Sequence, residues 1–186
     1  MSDEHGAQFS SAYGHPIIET PNMDRLAEQG VTFDANYCNS PLCIPSRASF
    51  MTGQYVSTCE VWDNTKPMPV DQLTWPYLLR NEGYDTALNG KMHLVGPDPL
   101  HGFDEQLSRD PHIEAPLPHF RWSDGIPTAP EDWFGVREAN PGVSPMIEAD
   151  DAMEKAAVEY LSDPARHEIP FAMCVGFIAP HFPFVV

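Results

Sequence analysis

The segment that most constrains the fold is the apolar run "PFAMCVGFIA", Pro170 to Ala179. It lacks polar alternation, so a strand made from it must be covered on both faces, as in a parallel sheet between helix layers. The upstream chain is punctuated to supply those layers. Thr20-Pro21 ahead of "NMDRLAEQG" reads as a cap, a proline in the first helical turn and a stop at Gly30. "VTFDANY" then alternates like a strand. "PSRASFM" opens on Pro45 and is closed by Gly53, which predicts a second helix with Cys43 just ahead of its N-terminus. "LTWPYLLRNEG" repeats the pattern, with Thr74 as cap, Leu73, Leu78 and Leu79 as apolar contacts and Gly83 as stop, and "YDTALNGK" follows as a strand running into a loop. Ser144-Pro145 opens a longer helix, "MIEADDAMEKAAVEYL", with Ala149, Ala152, Met153, Ala156 and Tyr160 on one stripe. Its acids crowd the first half, where the helix dipole favours them. This recurring order predicts an α/β fold, a mostly parallel sheet flanked by helices. Residues 96–145 are rich in proline and aromatics without lasting periodicity, and read as a loop-rich excursion within one unit spanning 1–186.

A length of 186 residues suits one domain or part of a larger one. Acids outnumber bases 27 to 10, and the formal charge of -17 argues against nucleic acid or an anionic membrane as a partner. An anion site in such a chain must be a local exception, built from concentrated cations or a metal. The four cysteines are too scattered for a disulfide framework, which favours a reducing compartment. No apolar run approaches the ~20 residues of a membrane span, and "MSDEHGAQ" lacks the basic and apolar parts of a signal peptide, so the expected location is cytoplasmic.

Cys43, in "NSPLCIPSRASFMTG", has several readings. A phosphatase loop needs cysteine and arginine six positions apart, whereas Arg47 is four away and Ser49 is six away. Structural zinc wants clustered partners, and Cys38 with Cys43 has no matching second pair at ligand spacing. A buried thiol stays open, since free cysteine is among the most buried residue types. A helix start beside Arg47 points the other way, toward an anion pocket made of backbone N–H groups and a planar cation.

"CIPSRASFMTG" matches, position for position, the sulfatase signature Cys-x-Pro-Ser-Arg-x-x-x-x-Thr-Gly, and the chain is identified on it as resembling that family. Other segments agree in order. "MSDEHG" resembles the family's first metal-binding segment, with Asp3 as the leading aspartate and Glu4 where many members have a second one. "NGKMHLVGP" is similar to the second signature and gives Lys91 and His93, and "APHFPF" supplies His181 as in the Pro-His-x-Pro element. The resemblance implies an alkaline-phosphatase-like fold and a sulfuric ester hydrolase in which a maturase oxidises Cys43 to formylglycine. A divalent metal, calcium first and magnesium or manganese next, would be held by Asp3, Glu4 and the modified Cys43. Arg47 and Lys91 would hold sulfate oxygens, His181 would donate to the leaving ester oxygen, and His93 would take the proton that lets the aldehyde reform.

"GKMHLVGPDPLHGFDEQL", "SFMTGQ" and "VWDN" look like the choline-sulfatase branch. A quaternary ammonium would call for an aromatic and acidic cage, for which Trp122, Trp133 and Phe134 with Asp124 or Glu131 are available. Carbohydrate and other alkyl sulfates stay open as substrates, oligomerisation stays open, and a phosphonate monoester or phosphodiester hydrolase of the same superfamily or a non-catalytic fragment are the alternative readings. Complete sulfatases are longer, with a strand before the first aspartate, later metal ligands and another lysine. The chain therefore resembles an incomplete, N-terminal piece of the catalytic domain and is expected to be inactive or barely active by itself.

Overall fold

Two parallel strands organise the computed structural model, which describes residues 1–111 and 139–185. β1 (Asp85–Gly90) and β4 (Phe171–Gly176) pair in register, from Asp85 opposite Phe171 to Gly90 opposite Gly176. β2 (Glu105–Gln106) adds in parallel to the other edge of β1, and Ser2 bridges in parallel to Phe177 just past β4. β3 (Ala139–Asn140) and β5 (Phe184–Val185) form a separate parallel pair. β2 and β3 both fall within the stretch 96–145.

Helices cover both faces of β1, because its side chains alternate. Leu88 faces a core with Ile44, Ala48 and Met51 of α2 (Cys43–Thr52), Cys59 of α3 (Val56–Cys59), and Met92 and Phe103. Asn89 faces the other way, and its Nδ2 donates to the Met153 carbonyl of α5 (Pro145–Ser162) at 2.7 Å. Burying a side chain such as Met51 or Leu88 contributes about 1.5–3 kcal/mol, and both are essentially inaccessible. Gly53 ends α2 in the left-handed region at φ 67°, its N–H on the Ser49 carbonyl at 2.9 Å. Among the described residues no helix is long and apolar enough to cross a membrane.

Several local expectations are corrected by tertiary contacts. "VTFDANY" is not a strand: it has no ladder partner among the described residues, and Val31, Phe33 and Tyr37 are exposed. Alternation selects a face, but a strand also needs a neighbour. Thr20 and Thr74 precede α1 (Pro21–Gln29) and α4 (Trp75–Asn81) as expected, yet neither side chain caps. The Thr20 hydroxyl binds Ser10 and Ser11, and the Thr74 hydroxyl donates to the His101 carbonyl. Leu73 and Leu78 are exposed rather than packed. On α5 Ser144 does cap, accepting from the Ile147 N–H at 3.3 Å, but Ala152 is exposed and the buried stripe runs through Met153, Ala157 and Tyr160. Of β4 only Cys174 and Gly176 are buried, because among the described residues its outer edge meets only Met1 and the Ser2 bridge.

Candidate active site

The expected site residues leave the ends of neighbouring parallel strands, where α/β sites assemble. Lys91 follows β1 directly, His181 lies five residues past β4, and Asp3 follows the bridging Ser2. Two glycines permit this convergence. A Cβ on Gly176 would lie 1.9 Å from the Lys91 carbonyl oxygen, and Gly90 adopts φ 81° with the Gly176 carbonyl 2.6 Å from where its Cβ would be. The Lys91 N–H closes the junction on the Gly176 carbonyl at 2.7 Å.

Asp3, Arg47 and Lys91 form a buried ionic trio. Arg47 Nη2 donates to Asp3 Oδ1 at 2.8 Å, Lys91 Nζ donates to Asp3 Oδ2, and Arg47 Nη1 donates to the Lys91 carbonyl at 2.7 Å. Their relative exposures are 7%, 4% and 0%, so the charges are held by each other rather than by water. Burial pushes the Asp3 carboxyl up, but Lys91 and then Arg47 outweigh it and hold the group below the usual carboxylate range. Two cations thus share one carboxylate.

Cys43 opens α2 as its first helical residue, after Leu42, instead of preceding the helix. The expected run of unpaired N–H groups is not there: Ile44 N–H donates to Asn64 Oδ1 at 2.9 Å, Pro45 has none, and Ser46 N–H bonds the Leu42 carbonyl at 2.9 Å. The positive charge at this helix start therefore comes mainly from Arg47 and Lys91. Burial pushes the Cys43 thiol up, with Asp3 and Glu4 acting the same way against Lys91 and Arg47. A thiol so placed stays protonated at neutral pH and is a poor thiolate nucleophile.

An Asp3 oxygen, Cys43 Sγ and a His181 ring nitrogen all lie within 4.8 Å of one another. The sequence places His181 at the leaving group, and the fold brings it into one cluster with Asp3 and Cys43, two of the three expected metal-side residues. Glu4 lies outside that trio, exposed at φ 58°, with Oε1 3.8 Å from His181 Nε2. His181 Nδ1 meets the Phe182 carbonyl at 2.6 Å. A carbonyl only accepts, so Nδ1 carries the proton of the neutral ring. His93 is buried at φ 56°, and its N–H and that of Met92 both donate to Asp110 Oδ2.

As a cation site the donor set fits in part. A carboxylate oxygen and an imidazole suit a divalent ion, while a thiol suits calcium or magnesium poorly and an oxygen in its place would suit them well. Three residues that position the site were not singled out in the sequence. Asn64, on the N–H of Ile44, lies in the quoted "VWDN". Asp110 and Asp150, the latter on the N–H groups of Ile178 and Ala179, carry no local signal, because their partners are 18 and 28 residues away. Trp122, Asp124, Glu131, Trp133 and Phe134 lie outside the described residues.

Known proteins share this arrangement of chain. The sulfatase family model matches residues 1–186. A choline-sulfatase of Rhizobium meliloti is 36% identical over 91% of this chain and 35% of its own length. An N-acetylglucosamine-6-O-sulfatase of Bacteroides thetaiotaomicron is 34% identical over 97% of this chain and 30% of its own. A structure solved in complex with its substrate D-glucosamine-2-N,6-O-disulfate superposes with a TM-score of 0.70 at 30% identity, over 97% of this chain and 33% of that one. A phosphonate monoester hydrolase of Agrobacterium radiobacter shares the fold, with a TM-score of 0.72 at 24% identity, over 100% of this chain and 41% of its own. The chain thus spans about a third of the length of the curated relatives it matches. With the Cys43 signature on α2, the second signature past β1 and the whole-length match, this chain belongs to the sulfatase family.

Proposed function

We propose that this chain forms the nucleophile side of a sulfuric ester hydrolase site, cleaving a sulfate monoester after conversion of Cys43 to formylglycine. The observation that carries it is the convergence of Asp3, Cys43 and His181 within 4.8 Å beside the buried Arg47 and Lys91. Sulfatases are generally metal-dependent, and Asp3 with the oxygen that replaces the Cys43 sulfur would hold the cation, calcium first, magnesium or manganese next. Bound there, a divalent ion would lower the pKa of an adjacent hydroxyl.

The remaining work falls to the chain's own residues. Arg47 and Lys91 supply donors and positive charge for sulfate oxygens in a site largely closed to water, where such contacts count for most. His181, with Nδ1 tied to the Phe182 carbonyl, would have to carry a second proton on Nε2 to donate it to the ester oxygen that leaves. His93 accepts the proton whose loss regenerates the aldehyde. The raised thiol of Cys43 supports a precursor role over direct attack by sulfur.

Co-expression with a formylglycine-generating maturase tests this reading. Mass spectrometry of the Cys43 peptide is expected to show the mass loss that replaces CH2–SH by an aldehyde. The full-length protein is then expected to turn over choline sulfate or 4-nitrophenyl sulfate faster than a phosphonate monoester. Cys43→Ser is expected to abolish multiple turnover, and undiminished turnover by that variant would sink the mechanism. A preference for the phosphonate would instead support the alternative hydrolase.

A further inference from the structure

We propose that Asp150 is the positioning residue that fixes where the His181 ring stands, an inference that rests on the sulfatase reading and adds a residue to it. After β4 the chain turns at Ile178, whose side chain is fully buried, and the His181 N–H closes the turn on the Ile178 carbonyl at 3.0 Å. Asp150 holds the start of that turn with both carboxylate oxygens. Oδ1 accepts from the Ile178 N–H at 2.7 Å and Oδ2 from the Ala179 N–H at 2.8 Å. A charged acceptor on two consecutive N–H groups is a strong and directional clamp.

The clamp is itself anchored. Asp150 lies on α5 one turn before Met153, whose side chain is buried and whose carbonyl accepts from Asn89 of β1. The path therefore runs from the central strand through α5 to the turn that carries His181. Asp150 differs in this from Asp151 and Glu154, which are exposed on the same helix. Nothing in the dipole account of acids in the first half of a helix requires a carboxylate to face the sheet edge, so Asp150 is placed by the turn it holds.

The test separates position from stability through the leaving group. In the full-length, matured and metal-loaded protein, choline sulfate expels an alkoxide that needs protonation, whereas 4-nitrophenyl sulfate expels a stable phenolate. Asp150→Asn replaces one acceptor oxygen by a donor that opposes an N–H. It is expected to lower kcat about 100-fold on choline sulfate and no more than about tenfold on 4-nitrophenyl sulfate, with KM little changed. Combined with His181→Ala it is expected to be no slower than His181→Ala alone, since both act through one ring. Equal losses on the two esters, or additive losses in the double variant, overturn the proposal.

A second readout does not depend on turnover. In a crystal structure of Asp150→Asn the His181 ring is expected to leave the Asp3–Cys43 cluster while the backbones of β4 and α5 stay in place, and an unmoved ring overturns the proposal. Should that variant not fold, Asp150→Ala removes both acceptors without adding an opposed donor and carries the same expectations. A wild-type protein that hydrolyses neither ester would rule out choline and aryl sulfates as substrates and point to a carbohydrate sulfate, and the crystallographic result would then decide the role of Asp150 by itself.

Discussion

The ends of β1 and β4 solve one problem in two ways. Both strands stop at a glycine, and Gly90 and Gly176 face each other in register. Beyond Gly90 the chain runs into the interior, where Lys91 and Met92 are fully buried and His93 is 2% exposed. Beyond Gly176 it passes through the buried Ile178 and emerges at a half-buried His181. The inner segment is held by packing, by the Asp3 ion pairs and by Asp110; the outer one is held by the Asp150 fork. Damage at the β1 end should therefore appear first as lost stability, and damage at the β4 end as lost position.

The largest expected effect lies where the two ends touch. Gly176→Ala places a methyl 1.9 Å from the Lys91 carbonyl, a backbone atom that cannot rotate away. The strand ends must separate, and urea unfolding is expected to show a loss of about 5 kcal/mol or no folded protein at all. A loss within ordinary surface values would show that the junction yields. Next is Asp3→Asn, which removes the carboxylate charge that Arg47 and Lys91 share. Removing one partner of a buried ion pair costs about 3–5 kcal/mol, and the same unfolding measurement is expected to fall at or above the lower bound. A near-neutral result would mean that water or an anion reaches Arg47 and Lys91 readily.

Asp110→Ala tests the inner segment without touching a charge pair at Asp3. It removes the acceptor shared by the N–H groups of Met92 and His93 and is expected to cost about 2 kcal/mol. Asp110→Asn keeps an acceptor and should recover about half of that. If Asp110→Ala instead leaves stability intact and only slows turnover, the inner loop behaves like the outer one and the contrast between the two ends collapses.

The sequence carried this division only in part, and the split follows the range of the interactions. Helix starts and stops were legible because their signals are local: Pro21, Pro45, Gly53, Gly83 and Ser144 mark α1, α2, α4 and α5 to within a residue or two. β4 was legible as an apolar run and β1 as the strand that follows the Gly83 stop, and the parallel sheet from their alternation with helices. The cluster of Asp3, Cys43 and His181 was anticipated only as family order, since its geometry is created by the register of β1 on β4 and the Ser2 bridge. Thr20 and Thr74 misled because their hydroxyls found distant partners, and Val31–Tyr37 because alternation does not reveal whether a neighbouring strand exists. Asp110 and Asp150 were hidden for the same reason, each being an unremarkable acid until the chain folds back onto it.

The smallest expected effect concerns the loop that follows the inner segment. His101 is 1% exposed at φ 40°, with neither ring nitrogen hydrogen-bonded among the described residues, and Asp98 Oδ2 is 3.9 Å from its Nδ1. Burial pushes the imidazole pKa down, and the Asp98 carboxylate offsets this only partly. The folded state thus binds its proton less readily than the unfolded chain. His101 contributes stability that is complete above the unfolded pKa of about 6.5 and is lost as pH falls through the lowered folded value. Asp98, itself held below the usual carboxylate range against its burial by the His101 and Leu100 N–H groups, keeps its charge over that window. His101→Asn accepts the left-handed backbone and removes the titration. The fall in Tm between neutral pH and pH about 5 is therefore expected to be smaller in His101→Asn than in the wild type. An unchanged fall would assign the acid sensitivity of this end to carboxylates alone, with Asp3 as the group to vary next.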